Sequence, residues 1–329
     1  MKKSPGILGL TVSPANIEIM LIIPDWLSTE PLDRTVLTIG VFDGLHLGHQ
    51  LLIRRVINRA KALAAISLVL TFDPHPMVVL SPAGAPEVLT TFDQKAKLLE
   101  PMGLSGLGRL CFTQALSNTG AVDFLNEYIS GPLKLLELYV GPDFHFGRNA
   151  EGNISLLRDW ARSSAYPVKV RSVQALKGPQ DEDFSSSHLR GLLKVGLVEE
   201  AARILGRPYL ISGTVICGQA RGRQLGYPTA NLGQVPQLIP GPGVYAVRAI
   251  LGDRIFRAMT SIGHNPTFSS KVLTVETYIF DFSEDFYGQT LELEFMARLR
   301  DMIRFDSVRS LVLQLQEDEK KARTFFQKN

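Results

Sequence analysis

The spacing of hydrophobic residues changes near Pro208, and this change limits the possible folds more than any other feature of the chain. Before it, apolar runs alternate with segments of helical period, which is typical of strands and helices in alternation. After it, apolar residues recur at every second position, which is typical of antiparallel strands. A chain of 329 residues is long enough to give each part its own core. We therefore predict two domains, residues 1–190 and 191–329, with linker helices at about 187–208.

The first domain is predicted to hold a parallel sheet covered by helices. VLTIGV at 36–41 and SLVLTF at 67–72 are continuous apolar runs, and apolar residues between them recur at helical spacing. Strands that are apolar on both faces and joined by a helix indicate a βαβ unit. Further strands are expected at 109–112, 136–140 and 168–173.

The second domain is predicted to be an antiparallel barrel or sandwich. Its candidate strands are separated by glycine, proline and asparagine and lie at 209–217, 243–251, 254–262, 274–282 and 290–298. A final helix is expected from Asp306 onward. Its apolar side is expected to carry Val308, Leu311, Leu315 and Ala322.

Composition narrows the class of function. The chain has 35 Lys and Arg against 32 Asp and Glu, a net charge of +3, which argues against a nucleic-acid-binding protein. Cys111 and Cys217 form no CxxC pair, so neither a thiolate metal site nor a disulfide framework is expected, and a reducing cytosol fits. Pro5 and Pro14 interrupt the apolar start, so we expect no signal peptide. Runs of about 18 apolar residues do not occur, so no membrane-spanning helix is expected.

The turn after the first predicted strand is the first candidate site, with the sequence GVFDGLHLGH at 40–49. A strand that ends in glycines and leads into a helix presents backbone N–H groups at the sheet's carboxyl edge, where nucleotides bind. His46 and His49 are three residues apart and would face the same way, while Gly48 leaves room for a phosphate. Two imidazole N–H groups could stabilise the charge on a phosphorus atom under attack.

Two alternatives stay open for the histidine pair: solvated histidines at a helix terminus, or a zinc site completed by His75 or Asp43. The strand–turn–helix context favours phosphate binding. The decapeptide also resembles the HxGH signature of the nucleotidylyltransferase superfamily, in the fuller form GxFDGxHxGH. That resemblance implies catalytic roles for both histidines. It also implies ATP contacts from Gly40, Phe42, Asp43, Gly44 and Gly48.

Three further segments end strands or open helices of the same layer: TFDPHP at 71–76, GPDFHFG at 141–147 and SSSHLR at 185–190. Each of them alone is more often an ordinary turn, a pair of core aromatics or a capped helix. In this order, from about Val36 to Tyr209, they resemble the FAD synthetase module of the bacterial bifunctional riboflavin kinase/FAD synthetases.

This resemblance implies a Rossmann-like nucleotidylyltransferase domain. It implies flavin contacts from Asp73, His75, Asp143 and Phe144, and phosphate contacts from Ser185, Ser186 and Arg190. The family usually has Ser-Ser-Thr followed by a basic residue, whereas Ser187 and His188 stand at the last two positions here. Ser187 keeps a hydroxyl, so only the role of His188 in holding phosphate is in doubt.

A glycine- and arginine-rich stretch, GQARGRQLGYPTANL at 218–232, is the second candidate site. Its glycines could wrap a phosphate chain, and Thr229 with Asn231 offers hard oxygen ligands for Mg²⁺. A glycine-rich hairpin with exposed arginines is the alternative. Further on, strand alternation places Glu276 on the same face as Tyr278 and Phe280. A carboxylate beside an apolar wall could act as a general base, and an exposed edge-strand glutamate is the alternative.

This stretch resembles, together with GVYA at 243–246, IGHNPTF at 262–268 and Val275-Glu276, the riboflavin kinase module of the same family. The resemblance implies a six-stranded antiparallel Greek-key barrel with a terminal helix. It implies that Thr229 and Asn231 hold Mg²⁺ and that Glu276 accepts the proton of the ribityl hydroxyl. Phosphate contacts would come from Gly218, Arg221, Gly222, Arg223, Gly226 and Pro228, whereas His264 receives no role.

The hypothesis is therefore a cytoplasmic enzyme that phosphorylates riboflavin to FMN in the barrel and adenylylates FMN to FAD in the amino-terminal domain. Both steps use ATP and Mg²⁺ and displace at phosphorus without a covalent enzyme intermediate. Its partners would be small molecules, with neither nucleic acid nor membrane, and the chain would be a monomer or a weak homo-oligomer. The rivals are a single-activity adenylyltransferase with a flavin-sensing barrel, and a nucleic-acid-binding module.

Overall fold

The computed structural model describes residues 19–164, 168–174, 177–178, 184–217, 222, 225–264 and 273–328. The chain divides into two compact units. The first unit comprises Met1–Pro86 and Thr90–Asp183, and the second comprises Glu87–Leu89 and Phe184–Asn329. This division precedes residue 190, where the sequence pattern placed the end of the first domain.

The first unit contains a six-stranded sheet in which every neighbouring pair is parallel. Its strands are β1 (Leu21–Ile23), β2 (Leu32–Gly40), β3 (Ile66–Phe72), β4 (Gly106–Leu110), β5 (Leu133–Val140) and β6 (Lys169–Ser172). They lie in the order β1-β4-β3-β2-β5-β6. The order reverses between β2 and β5, which makes the carboxyl ends of these strands the expected ligand-binding edge of such a sheet.

Helices cover both faces of this sheet, as the continuous apolar strands predict. They are α1 (Leu47–Ala62), α2 (Pro76–Leu80), α3 (Phe92–Leu99), α4 (Gln114–Ser117), α5 (Ala121–Phe124, continued by a π-helical turn at Leu125–Ser130) and α6 (Ile154–Ser163). Val36 packs in one buried cluster with Val56 of α1, whereas its neighbour Leu37 packs in another with Leu157 of α6. Successive residues of a strand point to opposite faces, so each strand contributes to two cores.

The second unit is built on a closed six-stranded barrel. Its strands are β7 (Tyr209–Ile216), β8 (Ala230–Gly233), β9 (Gly243–Leu251), β10 (Arg254–His264), β11 (Leu273–Ile279) and β12 (Thr290–Arg300). They pair antiparallel in the closed order β10-β11-β8-β7-β12-β9. Because β12 returns to lie beside β9 after the meander β9-β10-β11, the barrel contains a Greek key.

In the described part of the second unit, helices α7 (Ser186–Lys194), α8 (Val198–Leu205) and α9 (Val308–Lys328) accompany the barrel. The α9 helix buries Ala322 and Phe326 in a cluster with Met259 and Phe280 on the outside of the barrel. The prediction that Val308 lies on the packed side was wrong, because that side chain is 64% exposed. Helix α9 thus extends at its start beyond the apolar patch that it covers.

A buried ion pair ties α9 to the barrel. Asp318 is fully buried and accepts three hydrogen bonds from Arg300, with N–O distances of 2.6–3.0 Å. Gln314, one turn earlier on the helix, donates to the same carboxylate.

Across the described ranges, none of the helices combines the length and the apolar character needed to cross a bilayer.

Candidate active sites

The histidine pair lies at the start of α1, directly after the central strand β2. His46 caps the helix, since its Nδ1 accepts a hydrogen bond from the backbone N–H of His49 at 3.4 Å. The two imidazole rings stack with their centroids 3.6 Å apart, and the Phe42 ring meets His49 edge-on at 5.3 Å. The spacing of three residues therefore brings both rings to one place, as expected from the sequence.

The turn before this pair is held in a strained backbone conformation. Phe42, Gly44 and Leu45 have φ angles of 48°, 79° and 45°, which is the left-handed region. For the two residues with side chains this conformation costs on the order of 1 kcal/mol each. Gly40 leaves room for the Phe42 ring, because a Cβ at Gly40 would lie only 3.2 Å from that ring.

Asp43 and Thr90 stabilise the turn from outside it. The buried Asp43 carboxylate accepts hydrogen bonds from the backbone N–H of Thr90 at 2.9 Å and from its hydroxyl at 3.3 Å. The same hydroxyl accepts from the Gly44 N–H at 2.8 Å. The sequence reasoning missed Thr90. For Asp43 it predicted an ATP contact, or a place in the alternative zinc site, and the ATP contact stays a prediction.

Lys95 of α3 is a second residue that the sequence reasoning missed. Its side chain is 5% exposed, and Nζ donates to the Val41 carbonyl at 2.8 Å and to the Thr71 hydroxyl at 3.3 Å. Burial lowers the pKa of Lys95, while the charges of Asp43 and Asp73 act in the opposite direction. Lys95 occupies a position that the helical period of α3 assigns to an apolar residue, and that mismatch is the signal that could have found it.

His49 is held in its neutral form by its surroundings. Burial lowers the pKa of its imidazole well below the ordinary value of 6.5, and the electrostatic influence of His46 and of the Lys95 ammonium lowers it further. Its Nδ1 is buried and has no hydrogen-bond partner among the described residues. A neutral imidazole keeps one N–H donor, so His49 can still bind an anionic oxygen.

The zinc alternative for this pair finds no support. Among the described residues, no group of three or more His, Cys, Asp or Glu side chains is arranged to hold a metal ion. The possible third ligand His75 instead caps α2, where its Nδ1 accepts from the Met77 N–H at 3.1 Å.

The predicted flavin residues follow the two strands that flank β2. Asp73 and His75 come after β3, and Asp143 and Phe144 come after β5. The Phe144 ring stacks on Phe146 at 5.4 Å. Since β3 and β5 are the two neighbours of β2, these segments start on either side of the histidine turn. Their flavin contacts stay predictions.

The serine-rich segment belongs to the second unit. Ser185 caps α7, because its Oγ accepts from the His188 N–H at 3.2 Å, and Ser186 is the first residue of that helix. Arg190 donates from Nε to the Glu87 carbonyl at 2.8 Å. Their proposed contacts with phosphate stay predictions.

The second site is assembled by strand register. Glu276 of β11 lies directly opposite Asn231 of β8 in their antiparallel pair. Ala230 and Leu232 are buried, so Asn231 and the preceding Thr229 both face the other way, as Glu276 does. The structure therefore brings together the three residues that the sequence singled out in separate segments.

The part of the glycine-rich stretch that the structure describes packs against Thr229. A Cβ on Gly222 would collide with the Tyr227 carbonyl and would lie 3.4 Å from the Thr229 hydroxyl, so only glycine fits this approach. Gly226 has a φ of 81° in the following turn, and Pro228 is exposed. The remaining predicted residues of this stretch lie outside the described residues: Gly218, Arg221 and Arg223.

Aromatic rings continue the face of Glu276 toward a cavity. The Tyr278 ring meets Phe280 at 5.7 Å, as strand alternation predicts, and meets Tyr227 at 4.9 Å. Tyr227 lines a cavity of about 360 Å³ together with Glu319 and Arg323 of α9. The sequence reasoning missed this contribution of α9, because the contact between helix and barrel is not visible in the helical period.

Polar contacts organise the wall of this cavity. The Tyr227 hydroxyl donates to Glu319 Oε2 at 3.1 Å, and burial together with this carboxylate raises the pKa of Tyr227 to about 12. Arg323 donates to Glu319 and, twice, to Asp281, and its guanidinium lies 4.5 Å from the centroid of the Phe280 ring. The cavity therefore has an aromatic side and a charged side.

Comparison with known proteins identifies a family for each of the two parts of the chain. The FAD synthetase family model matches residues 28–188, and the riboflavin kinase family model matches residues 205–326. The Bacillus subtilis (strain 168) bifunctional riboflavin kinase/FMN adenylyltransferase is 33% identical over 92% of this chain and 96% of its own. The protein of the same name from Listeria monocytogenes is 35% identical over 89% of this chain and 93% of its own. The chain belongs to this bifunctional family. The resemblance inferred from its motifs is confirmed.

A solved structure shares the fold of the chain. A crystal structure from Streptococcus pneumoniae, described as a macrolide-efflux protein, has a TM-score of 0.81 and 31% sequence identity. It covers 93% of this chain and 99% of its own. This likeness supports the fold of this chain. The function in the name of the Streptococcus pneumoniae protein is not assigned to this chain.

Proposed function

We infer that this chain makes FAD from riboflavin in two steps. The second unit phosphorylates riboflavin to FMN with ATP, and the first unit transfers AMP from a second ATP to FMN with release of pyrophosphate. One observation supports this inference most strongly. Each of the two matched regions has its own cluster of reactive side chains: His46 with His49 in the first, and Glu276 with Asn231 in the second. A chain with one activity would need only one of these clusters.

In the kinase step, Glu276 would accept the proton of the ribityl hydroxyl as that oxygen attacks the γ-phosphorus. Thr229 and Asn231 fit Mg²⁺, because both are half-buried oxygen donors on the side of the barrel wall that Glu276 occupies. The close packing of Gly222 supports this assignment, since the Gly222 backbone comes close to the Thr229 hydroxyl. The ion, when bound, would neutralise charge on the ATP phosphates.

The cavity beside Tyr227 is our proposed place for the flavin ring system. A planar aromatic ligand gains from offset or edge contacts with aromatic side chains, and Tyr227 and Tyr278 already form such a pair. Tyr278 is also two residues from Glu276 on the same strand face. The cavity thus lies on the side where the ribityl chain must reach the base.

In the adenylyl step, an FMN phosphate oxygen would attack the α-phosphorus of ATP. His46 and His49 would donate N–H groups to the phosphate oxygens, and the start of α1 adds the positive end of a helix dipole. Positioning and charge stabilisation supply the rate, and no covalent enzyme intermediate forms. The flavin contacts predicted for the segments after β3 and β5 belong to this step.

We also make proposals for the location of the chain, its substrates and its oligomeric state. We propose a cytoplasmic location, which the free and exposed thiols of Cys111 and Cys217 support. The net charge of +3 supports small-molecule substrates rather than nucleic acid. The monomer or weak homo-oligomer stays a prediction.

Chromatography of flavin products after incubation with ATP and Mg²⁺ tests the function. The wild type should convert riboflavin to FMN and FAD. Glu276→Gln should lose FMN formation by about 100-fold or more while still converting supplied FMN to FAD. His46→Ala with His49→Ala should show the reverse. A wild type that makes FAD only from supplied FMN would instead identify the barrel as a flavin sensor, and a folded variant that loses both steps would refute the separate sites.

A further inference from the structure

Neither of the two proposed steps uses Lys95, yet this side chain is buried beside the histidine turn. Its ammonium group contacts the carbonyl of Val41, the second residue of the histidine turn (residues 40–49), and the Thr71 hydroxyl of β3. We propose that Lys95 is a positioning residue for adenylyl transfer: it fixes the start of the histidine turn and supplies a permanent positive charge at the edge of the sheet where that turn lies. This proposal rests on the proposed adenylyltransferase activity of the first unit.

The burial of this charge is costly for the fold. A buried lysine is rare unless it is paired, because the ammonium loses its hydration on burial. Among the described residues, Lys95 has no carboxylate within ion-pair distance, and its two acceptors are uncharged. Folding alone would therefore favour an apolar side chain of similar length at this position.

Satisfaction of the Val41 carbonyl does not explain the lysine either. The Thr71 hydroxyl already donates to the same carbonyl oxygen at 2.9 Å. Without Lys95 that half-buried acceptor would still have a partner, so what the lysine uniquely supplies is a fixed positive charge. An ammonium has three donors, and the described residues accept from two directions, Val41 and Thr71.

The position of this charge matches the need of the reaction. Lys95 lies at the carboxyl ends of β2 and β3, the sheet edge where an anionic triphosphate would bind. The charged and titratable groups around it are His46, His49, Asp43 and Asp73, and Arg109 lies 3.8 Å from Asp73. Since His49 is neutral, a nearby permanent cation can compensate charge that the imidazole does not.

The effect of the Lys95 charge on the pKa of His49 has a definite direction. The positive charge of Lys95 is one cause of the lowered pKa of His49, so removal of that charge should raise the pKa of His49. A structural lysine that only fills space would leave the His49 titration in place after replacement by an uncharged side chain of similar length. The His49 titration therefore separates the two roles.

The test uses the full chain with Lys95→Met, Lys95→Arg and the matched control Thr71→Val. Thr71→Val removes a contact of the same ammonium but keeps the charge. In Lys95→Met we expect kcat for FMN adenylylation to fall about 10- to 100-fold. We also expect the pH below which this kcat declines to be higher than in the wild type. Lys95→Arg should restore part of the rate. In Thr71→Val the pH below which kcat declines should be the same as in the wild type. The fluorescence of Trp26 and Trp160, which both lie in the first unit, reports that each variant is folded there.

A nuclear magnetic resonance titration of the labelled His49 imidazole, assigned with His49→Gln, gives a readout without turnover. A higher His49 pKa in Lys95→Met, and an unchanged one in Thr71→Val, supports the proposal. An unmoved titration in Lys95→Met, or an unchanged rate of adenylylation, overturns it. If the wild type itself forms no FAD, the proposed function fails, and the titration still decides whether Lys95 sets the charge state of His49.

Discussion

Glu276 and Asn231 face each other across the antiparallel pair of β11 and β8, although they come from different segments of the chain. Ser261 of β10 is the cross-strand neighbour of Glu276 on the other side. The candidate base therefore has a candidate metal ligand on one side and a simple hydroxyl on the other. This asymmetry allows a controlled test of the metal site.

Replacement of Asn231 by alanine should change the metal requirement of the kinase. With one oxygen ligand removed, we expect riboflavin phosphorylation to fall roughly tenfold or more, and half-maximal rate to require more Mg²⁺. Adenylylation of supplied FMN in the same sample should be unaffected. Ser261→Ala is the control variant, and an equal change in its Mg²⁺ dependence would contradict the assignment.

The Thr90 hydroxyl should matter for adenylyl transfer because it bonds both Asp43 and Gly44 in the strained turn. In Thr90→Val we expect kcat for FMN adenylylation to fall about 10- to 100-fold, since the histidine pair loses its fixed position. Thr90→Ser keeps the hydroxyl and should retain most of the rate. Steady-state kinetics of both variants, with riboflavin phosphorylation as internal control, check this expectation.

The neutral His49 should make the first unit sensitive to acid. In the unfolded chain its pKa is about 6.5, whereas in the folded chain it is well below that value. Between these values the unfolded chain binds a proton that the folded chain does not, so the free energy of unfolding falls as the pH is lowered. The loss is at most about 1.4 kcal/mol per pH unit.

His49→Gln should remove this dependence, because glutamine does not titrate. Urea unfolding between about pH 7 and pH 5 measures it, and tryptophan fluorescence follows the first unit selectively, since Trp26 and Trp160 both lie there. His145→Gln, at an exposed position, is the matched control. Equal slopes for wild type and His49→Gln would show that His49 is not the group responsible.

Asp318 should anchor α9 to the barrel far more strongly than surface charges do. Asp318→Asn leaves the Arg300 guanidinium without its buried carboxylate, and we expect the second unit to lose about 3 kcal/mol of stability. Asp301→Asn removes the exposed partner of Arg298 and should cost less than about 1 kcal/mol. Amide hydrogen exchange of the barrel strands measures both. Similar protection in the two variants would contradict the anchoring role.

Local patterns were sufficient where the information is local. The change in hydrophobic period separates a parallel layer from a barrel, the three-residue spacing predicts that His46 and His49 share one side, and alternation predicts the shared face of Glu276 and Tyr278. Short strands escaped this reasoning. β1 has three residues and β8 has four, too few to show a period, and β4 begins at Gly106, ahead of its predicted start at residue 109.

The sequence by itself determined the two fold classes and the side chains that carry chemistry, because periodicity and residue type are properties of neighbouring positions. Only the tertiary structure decided which of those side chains meet. The register of β8 against β11 sets Asn231 opposite Glu276, and the packing of α3 places Lys95 at the histidine turn. Strand register and side-chain burial depend on contacts between distant segments, so the sequence of one segment alone does not determine them.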